Sequence, residues 1–149
     1  MLFRSNVNKI KMSLAKMYFA EKNAPLNGQE FKLDNKPILS ALNDDLNTPK
    51  ALGHFFADLS RLNENVWEVR KDSWPDIIHS AENWAETFGL DVEGVKIPLK
   101  VYFYAWRREK FRVSKQFEQS DRLRKKVDAL GYIIEDTPRG PFLWPKPLN

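Results

Sequence analysis

Hydrophobic residues recur at intervals of three and four along most of the chain, the spacing of one face of an α-helix. One such run fills residues 1–23, and a shorter one covers residues 37–42. Asn-Thr-Pro at residues 47–49 is typical of a helix start, with a capping residue followed by proline in the first turn. Ser-Trp-Pro at residues 73–75 indicates another start, and Gly89 is placed to end that helix.

The last third of the chain combines helical and extended patterns. A helix is predicted from Pro98, a short break falls near Gln116, and a second helix ends at Gly131. Strand-forming residues follow the glycine, and residues 136–140 have the composition of a turn that returns the chain as a second strand. Asp136 is therefore expected at the tip of a β-hairpin.

These elements predict a mostly α-helical fold in two parts. Residues 1–97 are expected to form a helical bundle. Residues 98–149 are expected to form a basic helix pair followed by a small β-hairpin. With 149 residues, the chain is long enough for one proper core or for one core plus a small appendage.

Positive charge is concentrated in one segment of the chain. Residues 101–126 hold nine Lys or Arg against three acids, whereas residues 1–100 hold thirteen bases and fourteen acids. Such a stripe indicates a polyanion partner, most often nucleic acid, because each base that meets a phosphate releases condensed counterions. A solvated helix face is the alternative, and charge alone favours it.

The order of residues from Arg108 to Trp144 resembles the C-terminal, anticodon-side region of cysteinyl-tRNA synthetases. Residues 43–52 resemble the start of that family's helical domain, and the likeness runs from about Phe3 to Trp144. The positions that fill the C-terminal pattern are Arg108, Arg112, Lys115, Phe117, Asp121, Arg124, Gly131, Glu135, Asp136, Gly140 and Trp144. The family usually ends this pattern with Gly-Thr-x-Trp, whereas here three residues separate Gly140 from Trp144.

The resemblance implies the tRNA-binding C-terminal part of a synthetase, which recognises the anticodon stem-loop of cysteine tRNA. Base reading in RNA needs unstacked bases, a flat side chain to stack on, and fixed donors or acceptors. Five residues fall where the family reads its anticodon: Arg112, Phe117, Asp121, Arg124 and Asp136. Six bases are expected to contact the tRNA backbone: Arg107, Arg108, Lys115, Arg122, Lys125 and Lys126.

Several of these residues have a structural alternative. Phe117 can stack on a base, or it can pack between a helix and the hairpin. Asp121 can accept a hydrogen bond from a base, or it can pair within its own helix with Arg124 or Lys125. Arg124 can serve mainly to orient one of the acids.

The chain lacks the parts that carry the family's chemistry. It has no cysteine and only two histidines, so a thiolate zinc site cannot be built, and no glycine-rich phosphate loop is present. Lys-Met-Ser at residues 11–13 resembles the first half of the family's ATP-site loop, but Leu-Ala follows it. The resemblance thus implies no catalytic residue, metal or cofactor here. ATP and zinc would belong to a catalytic domain, and no activity is expected from this chain alone.

Two neighbouring acids and two histidines are weaker candidates for a metal or acid–base site. The pair Asp44 and Asp45 has the character of a metal or acid–base site. We favour a structural interpretation, because acids just before a helix start interact with its dipole and cap its free N–H groups. His54 and His79 fall on different predicted helices and are assigned to packing or to the surface.

The expected partners are a cysteine-specific tRNA and, if the chain is a fragment, the catalytic domain of the synthetase. No DNA partner is expected. No membrane partner is expected either, since no apolar run approaches ~20 residues, and a cytoplasmic location is predicted. The alternative function is that of a stand-alone synthetase-derived domain with a structural or assembly role in a ribonucleoprotein or a synthetase complex.

Overall fold

The chain forms two compact units, Met1–Gly94 and Val95–Asn149, in a computed structural model that describes residues 2–91 and 94–147. The described residues form six α-helices and one antiparallel pair of strands, which confirms the predicted mostly α-helical class. The first unit contains α1 (Leu2–Lys22), α2 (Asn35–Asn43), α3 (Thr48–Asn65) and α4 (Trp74–Thr87). The second contains α5 (Leu99–Val113), α6 (Phe117–Ala129), β1 (Tyr132–Thr137) and β2 (Gly140–Pro145).

The first unit has one core to which all four of its helices contribute. The buried side chains recur at helical spacing, as the hydrophobic pattern requires, and each buried large aliphatic or aromatic residue stabilises the fold by roughly 1.5–3 kcal/mol. The largest of them are Ile10, Met17, Ile38, Phe55, Leu62, Val66, Val69, Trp74 and Ile77.

The start of α3 follows the capping signal in the sequence. The side chain of Asn47 accepts a hydrogen bond from the Lys50 N–H at 3.2 Å, and proline occupies the first turn. Asp44 instead ends α2, where its N–H donates to the Ser40 carbonyl. Asp45 and Leu46 follow with left-handed φ angles of 51° and 54°. The capping role that we assigned to the acidic pair therefore belongs to Asn47.

The loop between α1 and α2 is fixed to the segment that follows α3. The Gln29 N–H donates to the Glu68 carbonyl at 2.7 Å, and the Arg70 N–H donates to the Gln29 carbonyl at 2.8 Å. Gly28 lies directly against this connection. A Cβ added there would lie 2.3 Å from the Glu68 carbonyl oxygen and 2.8 Å from the Arg70 nitrogen.

In the second unit, α5, α6 and the hairpin enclose a smaller core of Val101, Ala105, Val127, Ile134 and Leu143. Register in the hairpin pairs Ile134 with Leu143 and Thr137 with Gly140. The connection is two residues long, so Asp136 lies within β1, opposite Pro141. The prediction that Asp136 sits at the hairpin tip is wrong, because the turn is shorter than its composition suggested.

We predict opposite effects for two Gly→Ala substitutions in the first unit. Gly28→Ala should lower the free energy of unfolding by about 1–3 kcal/mol, because the added methyl collides with backbone atoms that cannot move aside. Gly53→Ala should raise it by up to about 1 kcal/mol, since Gly53 lies within α3 with nothing within 4 Å of the added Cβ. Urea unfolding followed by circular dichroism measures both. Equal effects of the two substitutions would contradict the assignment of Gly28 as a close-approach site.

Candidate nucleic-acid interface

Arg108 is a buried residue on the inner face of α5. It shares this face with Val101 and Ala105, and only 4% of its surface is exposed. Its guanidinium makes a two-pronged contact with the carboxylate of Asp136, with Nη1–Oδ1 at 2.6 Å and Nη2–Oδ2 at 3.0 Å. Its Nε is buried and has no hydrogen-bond partner among the described residues. We expected Arg108 to contact the tRNA backbone, but the structure turns its guanidinium into the core, where it binds Asp136.

Asp136 is bound by a second arginine from the next turn of α5. Arg112 Nη1 lies 2.7 Å from Asp136 Oδ1 and 3.6 Å from a carboxylate oxygen of Glu109. The hydrogen bond from Arg108 is the main cause that holds the pKa of Asp136 below its usual value, with Arg112 and Arg124 adding to it. The same bond raises the pKa of Arg108. We call Arg108, Arg112 and Asp136 the arginine–carboxylate cluster.

The cluster leaves a few hydrogen-bonding groups of Asp136 and Arg112 accessible at the surface. A carboxylate offers about four acceptor positions. Arg108 uses one of them on each oxygen, and the Arg112 guanidinium lies 2.7 Å from Oδ1 in an ion pair. The side chain of Asp136 remains 41% exposed, so one acceptor position on Oδ2 can meet a donor from outside. The Arg112 side chain is 38% exposed, and its remaining N–H groups have no partner among the described residues.

The turn between α5 and α6 holds Lys115 in a left-handed conformation. Its φ is 58°, at the position after a helix end where glycine is usual. The Lys115 N–H donates to the Arg112 carbonyl at 3.0 Å, and the Gln116 N–H donates to the Phe111 carbonyl at 2.8 Å. These two bonds close the helix end and leave the Lys115 side chain exposed.

Two of the predicted base-reading residues lie on the outer surface of α6. Phe117 is 61% exposed, so the alternative in which it packs between helix and hairpin is excluded. Asp121 is exposed and has no hydrogen-bond or ion-pair partner among the described residues, so the alternative pairing with Arg124 or Lys125 is not formed. Asp121 is still close enough to Arg108 to contribute to its raised pKa.

The remaining cations differ in how they are held. Arg122 pairs with Glu118 at 2.6 Å on the surface of α6, a contact of small energetic value. The ammonium of Lys126 lies 5.6 Å from the ring centroid of Tyr104. Arg107 lies between the rings of Phe103 and Phe111. Arg124 and Lys125 are exposed. Five predicted backbone contacts, all except Arg108, thus remain at the surface: Arg107, Lys115, Arg122, Lys125 and Lys126.

Sequence reasoning missed two features of the second unit. It did not identify Glu109 as a partner of Arg112, although the spacing of three residues within a helix is a signal for such a pair. It also did not identify the large aromatic side chains that α5 exposes on the face opposite the core: Tyr102, Phe103 and Trp106.

Other kinds of site find no support in the described part of the chain. Within residues 2–91 and 94–147, no group of three or more acidic or histidine side chains is arranged to hold a metal ion. Over the same residues, none of the helices has the length and apolar character needed to cross a membrane.

Comparison with known proteins places the similarity in both units. Residues 38–90 match the DALR domain family, and this match lies within the first unit. The chain is 34% identical to a cysteine–tRNA ligase of Methanosarcina mazei, over 93% of this chain and 32% of that protein. It is 31% identical to the cysteine–tRNA ligase of Azospirillum brasilense, over 87% of this chain and 30% of that protein. It is 34% identical to the cysteine–tRNA ligase of Thermus thermophilus, over 71% of this chain and 24% of that protein. The chain therefore spans about a third, or less, of the length of the curated relatives it matches.

We predict that Asp136→Asn lowers the free energy of unfolding at pH 7 by about 2 kcal/mol. Removing one partner of a buried ion pair costs roughly 3–5 kcal/mol. The cost is smaller here because the Asp136 side chain is 41% exposed to solvent, which screens the pair. Urea unfolding measures the effect. The matched control is Asp121→Asn, which makes the same chemical change at an exposed acid without a partner and should change stability by less than about 0.5 kcal/mol.

The same substitution should alter how stability depends on pH. The folded-state pKa of Asp136 is lowered, so its contribution is present above the unfolded-state pKa of about 4 and is lost as pH falls through the folded value. Wild type should therefore lose stability more steeply than Asp136→Asn between about pH 5 and pH 2. Parallel curves for the two proteins would show that Asp136 is not held by the arginines in solution.

We predict that Lys115→Gly removes a surface charge without weakening the fold. Glycine adopts the left-handed conformation without steric cost, so the free energy of unfolding should stay the same or rise by up to about 1 kcal/mol. Lys125→Gly is the matched control, because it removes the same charge from within a right-handed helix and should cost about 1 kcal/mol. Urea unfolding of both variants tests this, and destabilisation by Lys115→Gly would contradict the turn geometry.

Proposed function

Because the chain is related to cysteine–tRNA ligases over most of its length, we propose that it is a tRNA-binding part of such an enzyme and that it recognises the anticodon stem-loop of a cysteine tRNA. Activation of cysteine with ATP and its transfer to tRNA belong, in this proposal, to the remainder of the enzyme. The observation that carries the proposal is the arginine–carboxylate cluster, which presents oriented donors and one acceptor at a strongly basic surface.

The cluster has the chemistry that base recognition requires. Amino and imino groups of bases donate to a carboxylate, while arginine donates to base oxygens and ring nitrogens. The two arginines hold the Asp136 carboxylate ionised and in one orientation before any RNA arrives, so little ordering entropy is lost on binding. Arg112 is fixed in turn by Asp136 and Glu109. In this proposal Arg108 does not touch RNA and acts by positioning the other two residues of the cluster.

The outer surface of α6 supplies the other base contacts in this proposal. The exposed ring of Phe117 offers a stacking face for an unpaired base. Asp121 has unused acceptors for a base edge, and Arg124 contributes positive charge close to Asp136. The exposed cations of the second unit position the RNA through its phosphates and carry no sequence information: Arg107, Lys115, Arg122, Lys125 and Lys126.

The test separates base reading from phosphate binding. Asp121→Ala should reduce the preference for a cognate over an anticodon-swapped stem-loop by roughly 1–3 kcal/mol, because it removes a base-edge acceptor, and it should leave the salt dependence unchanged. The double variant Lys125→Ala, Lys126→Ala should weaken binding to all stem-loops alike. It should also flatten the slope of log affinity against log salt by about 0.7–0.9 per lost phosphate contact.

Binding is measured by titration of the labelled stem-loops at two salt concentrations. Asp121 is a better probe of base reading than Asp136, because it holds no other residue in place. The control Lys36→Ala, Lys50→Ala removes the same charge from exposed positions of the first unit and tests whether the effect is local to the second unit. A wild-type chain that binds with a salt slope but without anticodon preference would reject the specific proposal and favour a structural role in a ribonucleoprotein.

A further inference from the structure

The outer face of α5 carries a row of large apolar side chains that the second unit leaves exposed. They are Leu99, Tyr102, Phe103, Trp106 and Val113, each between 49% and 85% exposed. At 3.6 residues per turn, Trp106 lies roughly 120° around the helix from Arg112. This row is therefore a different face of α5 from the one that carries the arginine–carboxylate cluster.

Positive charge is interleaved with these rings. The ammonium of Lys110 lies 3.9 Å from the ring centroid of Trp106. The guanidinium of Arg107 lies 5.6 Å from the ring of Phe103. Of the five bases within α5, Arg108 and Arg112 belong to the arginine–carboxylate cluster, which leaves Lys100, Arg107 and Lys110 near the rings. The exposed apolar row is thus electropositive along its length.

An open hollow lies at the C-terminal half of this row. It has a volume of about 290 Å³ and is lined by Trp106, Glu109, Lys110, Val113 and Ser114. Its lining combines an aromatic ring and an aliphatic side chain with an ammonium, a carboxylate and a hydroxyl. A flat ring that bears polar edge groups matches this combination, because its faces meet the tryptophan and its edges meet the polar rim.

We propose that the outer face of α5, centred on Trp106, is a second RNA-contact surface that stacks unpaired bases. This inference rests on the proposed function and extends it to a face outside the anticodon-reading residues. Aromatic side chains interleaved with cations are the chemistry by which proteins bind single-stranded nucleic acid, since rings stack on bases and cations follow the backbone. Lys110 and Arg107 lie beside the rings of Trp106 and Phe103, and in this proposal they contact the phosphates of the stacked nucleotides.

Charge favours RNA over a protein as the occupant. An apolar protein surface that docked here would also have to be strongly acidic to complement the cations around the rings, whereas RNA supplies both bases and phosphates. The apolar row from Leu99 to Val113 spans about 21 Å along the helix axis, which is room for more than one nucleotide. If a protein docks on this face instead, the test below gives a different result.

The test exchanges the ring at position 106 in the full chain. Trp106→Leu keeps apolar area and removes the aromatic face, whereas Trp106→Phe keeps a stacking face. Stacking predicts that the leucine variant binds a single-stranded RNA of about ten nucleotides roughly tenfold more weakly, while the phenylalanine variant stays within about threefold of wild type. The salt slope should not change, because no phosphate contact is lost. Leu39→Ala is the matched control, because it removes an exposed apolar side chain from α2 in the first unit, outside the proposed surface, and it should bind as wild type does.

Equal RNA affinity of wild type and Trp106→Leu would overturn the inference, and it is also the result expected of a face that docks protein. Equal losses in the leucine and phenylalanine variants would overturn it as well, since area and shape would then matter rather than the ring. Thermal unfolding of each variant must match wild type within a few degrees. A drop in the leucine variant would show that Trp106 packs within the fold, which also rejects the inference. Anticodon preference, measured separately on stem-loops, reports on the proposed function and is independent of these results.

Discussion

The second unit depends on one interaction, the pairing of the buried Arg108 guanidinium with the Asp136 carboxylate. A guanidinium cannot lose its charge, so its burial on α5 is tolerable only because β1 delivers an acid to it in two-pronged geometry. The pair connects the first helix of the unit to its hairpin across about 28 residues of sequence. The hairpin alone would be marginal, since a two-stranded sheet has little stability in water. Its position is set by this ion pair and by the apolar contacts of Ile134 and Leu143 with α5 and α6.

The same carboxylate serves stability and, in our proposal, recognition. Arginine contacts both of its oxygens, so any contribution to base reading comes from the acceptor position that remains on Oδ2 and from the unused N–H groups of Arg112. This sharing makes Asp136 a poor target for separating the two roles by mutation. The sharing also makes the proposed recognition surface rigid. The Arg108–Asp136 pair, which the fold requires, holds the polar groups of that surface in one orientation.

The helices of the first unit could be predicted from the sequence because local signals and burial agree there. The cap at Asn47 and the proline after it are local, and the structure confirms them. The spacing of Arg108 and Arg112 correctly placed them on adjacent turns, but periodicity in charge does not say which side faces the core. The hydrophobic pattern of α5 is ambiguous for the same reason, since apolar residues occupy both its inner and its outer face. Only the partner in β1, distant in sequence, decides that Arg108 is the buried one.

Two faces of one helix then divide the work of binding in the functions that we propose. The cluster beside Arg112 has few groups, fixed orientation and defined donors and acceptors, which suits discrimination between bases. The row around Trp106 has large rings, and its cations Arg107 and Lys110 make no ion pair with any residue that the structure describes. These features suit affinity without sequence preference, because every base has a face to stack. A recognition surface with few free cations cannot hold a polyanion tightly by itself. In this proposal, stacking and phosphate contacts elsewhere on the same helix supply most of the affinity for RNA. The cluster supplies the preference for one RNA sequence over another.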